Sequence, residues 1–147
     1  MLTLSHVLKA LAPTADYQIP QDFEIACGCV DSRCTASKGL FVALKGENTD
    51  GHLFVDQAFA NGAVLALTDQ PIESVFPVVD IRQSGFILPA IAPFSLRTSN
   101  TLEALQTLAK YWRAQHNLTV IGITIATPLA VAAATSSRAA SAGSVPE

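Results

Sequence analysis

The chain is short of charge: only 14% of its 147 residues are Asp, Glu, Lys or Arg, with 9 basic side chains against 12 acidic ones. The lysines and arginines are scattered and form no stripe, which excludes the electrostatic footprint of a nucleic-acid binder. Cysteine is scarce too, at 3 residues. Cys27, Cys29 and Cys34 lie close together, but their spacing departs from the C-x-x-C of tight zinc sites. A fourth ligand is also wanting, since the next histidine downstream is His52. No metal site is expected. An odd count without a paired framework suits a reducing cytoplasm. On a strand, Cys27 and Cys29 point to one side as small buried hydrophobes.

Long runs of large apolar residues are missing as well. Met1–Ala12 has no charged segment leading into an apolar one, so it does not read as a signal peptide. Residues 118–135 are uncharged, but Pro128 and the many Thr and Ala argue against a membrane span.

Hydrophobic residues nonetheless make up 50% of the chain, enough for the core of one domain. Leu2, Leu4, Val7, Leu8 and Leu11 recur at helical spacing behind a Thr3 or Ser5 cap, and Pro13 stops the helix. Alternation of Phe23, Ile25, Cys27 and Cys29 predicts a strand from Phe23 to Val30. The continuous run Leu40–Leu44 predicts a strand covered on both faces. Lys45–His52 is a polar loop. A short helix bears Phe54, Ala58 and Phe59 and ends at Asn61-Gly62. Strands follow at Ala63–Leu67 and Val75–Ile81. Ser84–Thr98, with Gly85, Pro89 and Pro93, reads as an irregular excursion or a small hairpin. Leu102, Leu105, Leu108, Ala109 and Trp112 then mark an amphipathic helix, and Leu118–Thr124 a last buried strand.

Alternating strands and helices predict an α/β, three-layer-like single domain with a mixed or mostly parallel sheet over residues 1–114. Residues 115–124 read as a linker and strand leading onward. From Ile125 to Glu147 the chain turns to Ala, Ser and Thr, with Arg138 and Glu147 its only charges. Such a segment buries little beyond methyl groups and is expected to form an irregular tail.

Two loops stand out chemically, each following a predicted strand, where α/β folds gather ligand contacts. In the first, Asp31-Ser32-Arg33, the Ser32 hydroxyl suits a phosphate or a pyrimidine carbonyl. Arg33 suits either a ligand or an ion pair with Asp31 or Asp50 that braces the loops. The second runs Gly46-Glu47-Asn48-Thr49-Asp50-Gly51-His52, where Asn48 and Thr49 carry donors and acceptors fit to read a base edge. Ordinary turn chemistry explains the same residues equally well, and Asp50-Gly51 alone is a turn signal. His52 lacks a partner spaced for a triad, so a structural role between loop and helix is favoured over that of a general base. His6 and His116 read as surface residues, Trp112 as core, and the pairs Asp22/Glu24 and Asp69/Glu73 as solvated. No catalytic constellation emerges.

The run Val30-Asp31-Ser32-Arg33, then Lys38-Gly39-Leu40-Phe41-Val42-Ala43-Leu44-Lys45-Gly46, then Asp50-Gly51-His52, Phe54, Ala58 and Gly62-Ala63 resembles the N-terminal signature of the Mur ligases. The likeness spans Met1 to about Thr124. It leans toward the branch that adds a D-Ala-D-Ala dipeptide to the peptidoglycan precursor, over the sister branch that adds the third stem-peptide residue. The resemblance implies a cytoplasmic domain that grips the UDP end of UDP-MurNAc-tripeptide. Val30 and Ser32 would touch the uridine or its diphosphate, with Arg33 beside them. Glu47, Asn48 and Thr49 would line the uracil and ribose side. Gly46 and Gly51 would let the loop backbone approach closely, with Asp50 and His52 completing it.

The sequence also departs from that family. There, a strand like Val120-Ile121-Gly122-Ile123-Thr124 leads into a glycine-rich loop ending in Gly-Lys-Thr/Ser that cradles ATP. Here no glycine follows Thr124 until Gly143, and no lysine follows Lys110. ATP and Mg²⁺ are therefore expected of the full-length family and not of this chain. The abrupt change at Ile125 suggests a frameshift, with a genuinely short protein as the alternative. The resulting expectations are a binding domain without ligase activity of its own, a freestanding UDP-sugar-peptide module, a subunit completed by a separate chain carrying the ATPase domain, or a non-functional fragment.

Overall fold

The computed structural model describes residues 1–34 and 37–116. The predicted strand at 118–124 and the tail from 125 onward lie outside them.

Helix α1 spans Leu4–Leu11 and buries Leu4, Val7 and Leu8. His6 Nδ1 accepts the Thr3 N–H (3.2 Å) and Asp22 Oδ1 accepts the Ser5 N–H (3.0 Å), so amides that the first turn leaves unpaired are satisfied. Asp22, exposed as the sequence predicts, in this way also supports the first turn of α1. Leu2 belongs not to the helix but to β1 (Leu2–Thr3), which pairs antiparallel with β2 (Glu24–Ile25).

The single strand predicted over Phe23–Val30 is two. After β2, Ala26 donates to the Lys38 carbonyl (2.9 Å), and β3 (Cys27–Cys29) continues beside a different neighbour, parallel to β4 (Gly39–Val42). Alternation reports which residues share a face, not which strand they pair with. Cys27 and Cys29 are half-buried, because β3 is an edge strand.

The main sheet is parallel throughout, in the order β3-β4-β5-β7-β6, with β5 at Ala63–Thr68, β6 at Val78–Asp80 and β7 at Phe94–Arg97. On one face Leu40, Val42, Leu65, Leu67, Phe94 and Leu96 pack with α1 and with α3 (Thr101–Ala114). On the other, Phe41, Ala43 and Ala66 pack with Val55, Ala58 and Phe59 of α2 (Val55–Ala60). These are the three layers of an α/β domain. Asn61 and Gly62 close α2, with Gly62 at φ 111°, a conformation glycine adopts without penalty.

The largest departure is β7. The segment read as an excursion or hairpin supplies an interior strand, registered Leu65↔Phe94 and Leu67↔Leu96 on one side and Val79↔Leu96 on the other. Only its last residues enter the sheet. Ile87 and Ile91, upstream, are 91% and 76% exposed.

Helix α3 is capped by Asn100, whose side chain accepts the Glu103 N–H (2.9 Å). Its buried positions are Thr101, Ala104 and Leu108, whereas Leu102, placed by periodicity on the core face, is 50% exposed. Asp69 fixes that rotation. Its Oδ2 accepts both the Thr101 N–H (3.0 Å) and the Thr101 hydroxyl (3.1 Å), so this carboxylate is a tertiary anchor and not a solvated chain end. Trp112 and His6 are both half-buried, their rings edge to face at 5.4 Å. Among the described residues no helix is long and apolar enough to cross a membrane.

Candidate functional site

Parallel strands end on the same side of a sheet, so the segments following β3 and β4 emerge together. Between them and the start of α2 lies a cleft of about 620 Å³, within the ~300–1,000 Å³ typical of small-molecule sites. Val30, Asp31, Ser32 and Arg33 form one wall. Gly46, Thr49 and Gly51 form the opposite one. Phe41, Leu44 and Phe54 supply apolar lining, and Gln57 reaches in from α2.

The first wall is held by its own hydrogen bonds. Ser32, 6% exposed, donates from Oγ to Gln57 Oε1 (3.1 Å), and its carbonyl accepts from Asn61 Nδ2 (2.8 Å). Its hydroxyl proton is thus already engaged, and what it offers a ligand is lone pairs, with the Gln57 amide as its companion. Arg33 pairs with Asp31 and not with Asp50. Nη2 to Oδ2 is 2.8 Å, Nε to Oδ1 is 3.1 Å, and the Arg33 N–H also reaches Oδ1 at 2.9 Å. The Arg33 guanidinium, followed by its backbone N–H, holds the Asp31 carboxyl at a pKa of about 2, well below the ordinary range. A depressed carboxylate stabilises the fold above its unfolded pKa, and that contribution is lost as pH falls from about 4 toward about 2. An NMR titration of the Asp31 carboxyl is therefore expected to show a midpoint near 2, shifted upward in Arg33→Ala. A midpoint near ~4 in the unaltered protein would show that the clamp does not form in solution.

The second wall is a tight hairpin. Gly46 donates to the Thr49 carbonyl (2.9 Å), Lys45 and Asp50 form an antiparallel bridge, and Gly51 donates to the Leu44 carbonyl (2.9 Å). A Cβ on Gly51 would sit 2.7 Å from the Leu44 carbonyl oxygen and 2.8 Å from its nitrogen, so only glycine fits. Asp50 caps the 3-10 turn Gly51–Phe54 by accepting the His52 N–H (3.0 Å), and this bond, then the imidazole, lowers the Asp50 pKa.

The structure thus gathers Val30, Ser32, Arg33, Gly46 and Thr49 around one cleft. Glu47 and Asn48 lie at the exposed tip of the hairpin. Asp50 and His52 face a separate groove with Asp56 and Glu73. The sequence reading passed over Phe41, Leu44, Phe54 and Gln57 as lining. The first three look like ordinary core in a linear sequence. Gln57 joins the site only because α2 packs against the turn at Ser32–Cys34. Among the described residues no group of three or more His, Cys, Asp or Glu is placed to hold a metal ion.

Residues 25–113 match the family described as Mur ligase family, catalytic domain. The UDP-N-acetylmuramoyl-tripeptide–D-alanyl-D-alanine ligase of Synechocystis sp. is 35% identical over 106 residues, covering 72% of this chain and 20% of that protein. A UDP-N-acetylmuramoyl-L-alanyl-D-glutamate–2,6-diaminopimelate ligase of Caldanaerobacter subterraneus is 47% identical over 58 residues, 40% of this chain and 12% of the relative. Among solved structures, crystal structure I of MurF from Acinetobacter baumannii superposes with a TM-score of 0.54 at 34% identity, covering 77% of this chain and 21% of that one. The chain spans about one fifth of the length of the Synechocystis relative. With the family match extending from β2 to the end of α3, and a solved relative that superposes on 77% of the chain, this chain belongs to the Mur ligase family.

Proposed function

We propose that the cleft binds the UDP end of UDP-MurNAc-tripeptide, as the substrate-gripping part of an ATP-dependent ligase that adds D-Ala-D-Ala in cytoplasmic peptidoglycan synthesis. The observation that carries this reading is the convergence of Val30, Ser32, Gly46 and Thr49, from two separate loops, on one cleft of suitable size. In this reading Val30, 55% exposed, lies against the base. Ser32 and Gln57 offer hydrogen bonds to its polar edge, and the hairpin backbone flanks the ribose, with Glu47 and Asn48 reaching over from the tip. Residues 1–114 are then the binding domain and 115–124 the passage toward an ATP-binding domain.

ATP and Mg²⁺ do not fit the residues present. After Thr124 there is no Gly-Lys-Thr/Ser sequence to cradle phosphates. The chain by itself is proposed to lack ligase activity. Phosphate release from ATP upon adding UDP-MurNAc-tripeptide and D-Ala-D-Ala would overturn that. The diaminopimelate-adding relatives support a second reading, in which the ligand is the dipeptide precursor.

Calorimetric titration with UDP, UDP-MurNAc-dipeptide and UDP-MurNAc-tripeptide tests both. Saturable binding is expected, weakened about tenfold in Ser32→Ala, the order of one lost hydrogen bond of ~1.4 kcal/mol. A cooperatively melting chain that binds none of the three would refute the assignment.

A further inference from the structure

We propose that His52 is a positioning residue for nucleotide binding, locking the hairpin wall of the cleft to the body of the domain without touching the ligand. This inference rests on reading the cleft as a uridine-nucleotide site.

The His52 side chain is 5% exposed, and both ring nitrogens are engaged. Nδ1 lies 2.6 Å from Asp50 Oδ1. Nε2 lies 3.0 Å from Asp69 Oδ1 and 3.2 Å from the Asp69 backbone nitrogen. A neutral imidazole fits if Nδ1–H donates to Asp50 while Nε2 accepts the Asp69 N–H. An imidazolium fits by donating to both carboxylates. Either way no buried ring nitrogen is left unpaired.

What this imidazole joins gives it meaning. Asp50 is bridged to Lys45 across the hairpin and immediately precedes Gly51, a residue of the cleft wall. Asp69 follows β5, and its second oxygen anchors the first turn of α3 through Thr101. A continuous polar chain therefore runs from hairpin to Asp50, His52, Asp69, Thr101 and α3. Among the described residues no other side-chain hydrogen bond links this hairpin to β5 or α3, and the Gly46–Asp50 stretch is largely exposed. A loop so poorly covered keeps one conformation only if tethered, and a pre-set wall spares the ligand the cost of ordering it.

The test uses the full chain and UDP as the probe, with His52→Gln and Asp50→Asn. Each variant keeps a polar group of similar size, but neither can bridge both carboxylates as the imidazole does. The expected result is a loss of UDP affinity of at least about tenfold in His52→Gln, with faster amide exchange at Gly46–Gly51 and unchanged protection in β4 and β5. Asp50→Asn is expected to show the same pattern more weakly, and it carries the test if His52→Gln does not fold. A folded variant with undiminished UDP affinity overturns the inference. So does exchange that accelerates evenly through β4 and β5, since His52 would then be a general stabiliser. If the unaltered chain melts cooperatively yet does not bind UDP, the reading of the cleft fails instead.

Discussion

Phe94→Ala should destabilise the folded chain by about 3–5 kcal/mol, the usual cost of emptying a large aromatic site in a core. Phe94 is 1% exposed, lies on an interior strand opposite Leu65, and meets the Phe23 ring edge to face at 6.0 Å. Its removal leaves a cavity between sheet and helices that the surrounding strands cannot close without breaking register. Against a total stability of ~5–15 kcal/mol for a typical domain, the variant would be only marginally folded. Ile87→Ala, 7 residues upstream and 91% exposed, is the matched control and should change stability by no more than ~0.5 kcal/mol. Urea unfolding of the three proteins measures both differences. A Phe94→Ala effect under ~1 kcal/mol would mean that Phe94–Arg97 is the peripheral excursion its prolines suggest and not the strand between β5 and β6.

Gly51→Ala should abolish measurable UDP binding and lower stability by about 1–3 kcal/mol, the range for forcing extra volume into a packed site. The atoms in the way are the backbone oxygen and nitrogen of Leu44 and the Cα of Ala43 at 3.2 Å, which are continuous with β4 and cannot rotate aside. Relief requires the hairpin to move off the strand. That motion breaks the Gly51-to-Leu44 hydrogen bond and displaces the wall carrying Thr49. Gly46→Ala is the graded comparison. Its Cβ would meet a single atom, the Thr49 carbonyl oxygen, at 3.2 Å, and a small shift of the exposed loop accommodates it. Calorimetry with UDP and thermal melting should rank unaltered chain above Gly46→Ala and Gly46→Ala above Gly51→Ala. Undiminished UDP binding by Gly51→Ala would show that the hairpin wall does not form the nucleotide site.

Much of this architecture was legible in the residues. Leu4, Val7 and Leu8 announce α1 by spacing, and the apolar runs Leu40–Leu44 and Ala63–Leu67 announce buried strands. Asn61-Gly62 marks the end of α2. Each is a local signal, carried by residues within one or two turns or pleats of each other. Strand β7 escaped because it is only four residues long, holds the polar Ser95 and Arg97 at alternate positions, and follows two prolines. The face of α3 was misjudged for a related reason. Leu102 fits the helical period, but Asp69, distant in sequence, captures Thr101 and turns that side inward.

The candidate site divides the same way. Glycines, short polar side chains and their position after predicted strands pointed to Asp31–Arg33 and Gly46–His52, and the family resemblance added Val30. The roles within those segments came from tertiary contacts: Ser32 bound to Gln57, Arg33 turned to Asp31 over Asp50, and His52 withdrawn from the cleft to bridge two carboxylates. What the sequence by itself determined is the α/β class, most of the elements and the two loops that matter, because periodicity and turn chemistry act over a few residues. Only the tertiary structure decided which strands are neighbours, that all five main strands run parallel, and which loop residues share a cleft. Those outcomes depend on contacts between segments from 12 to 29 residues apart, as in Cys27↔Gly39 and Leu65↔Phe94, and the selection among pairings is made by how whole faces pack, which no short stretch of sequence encodes.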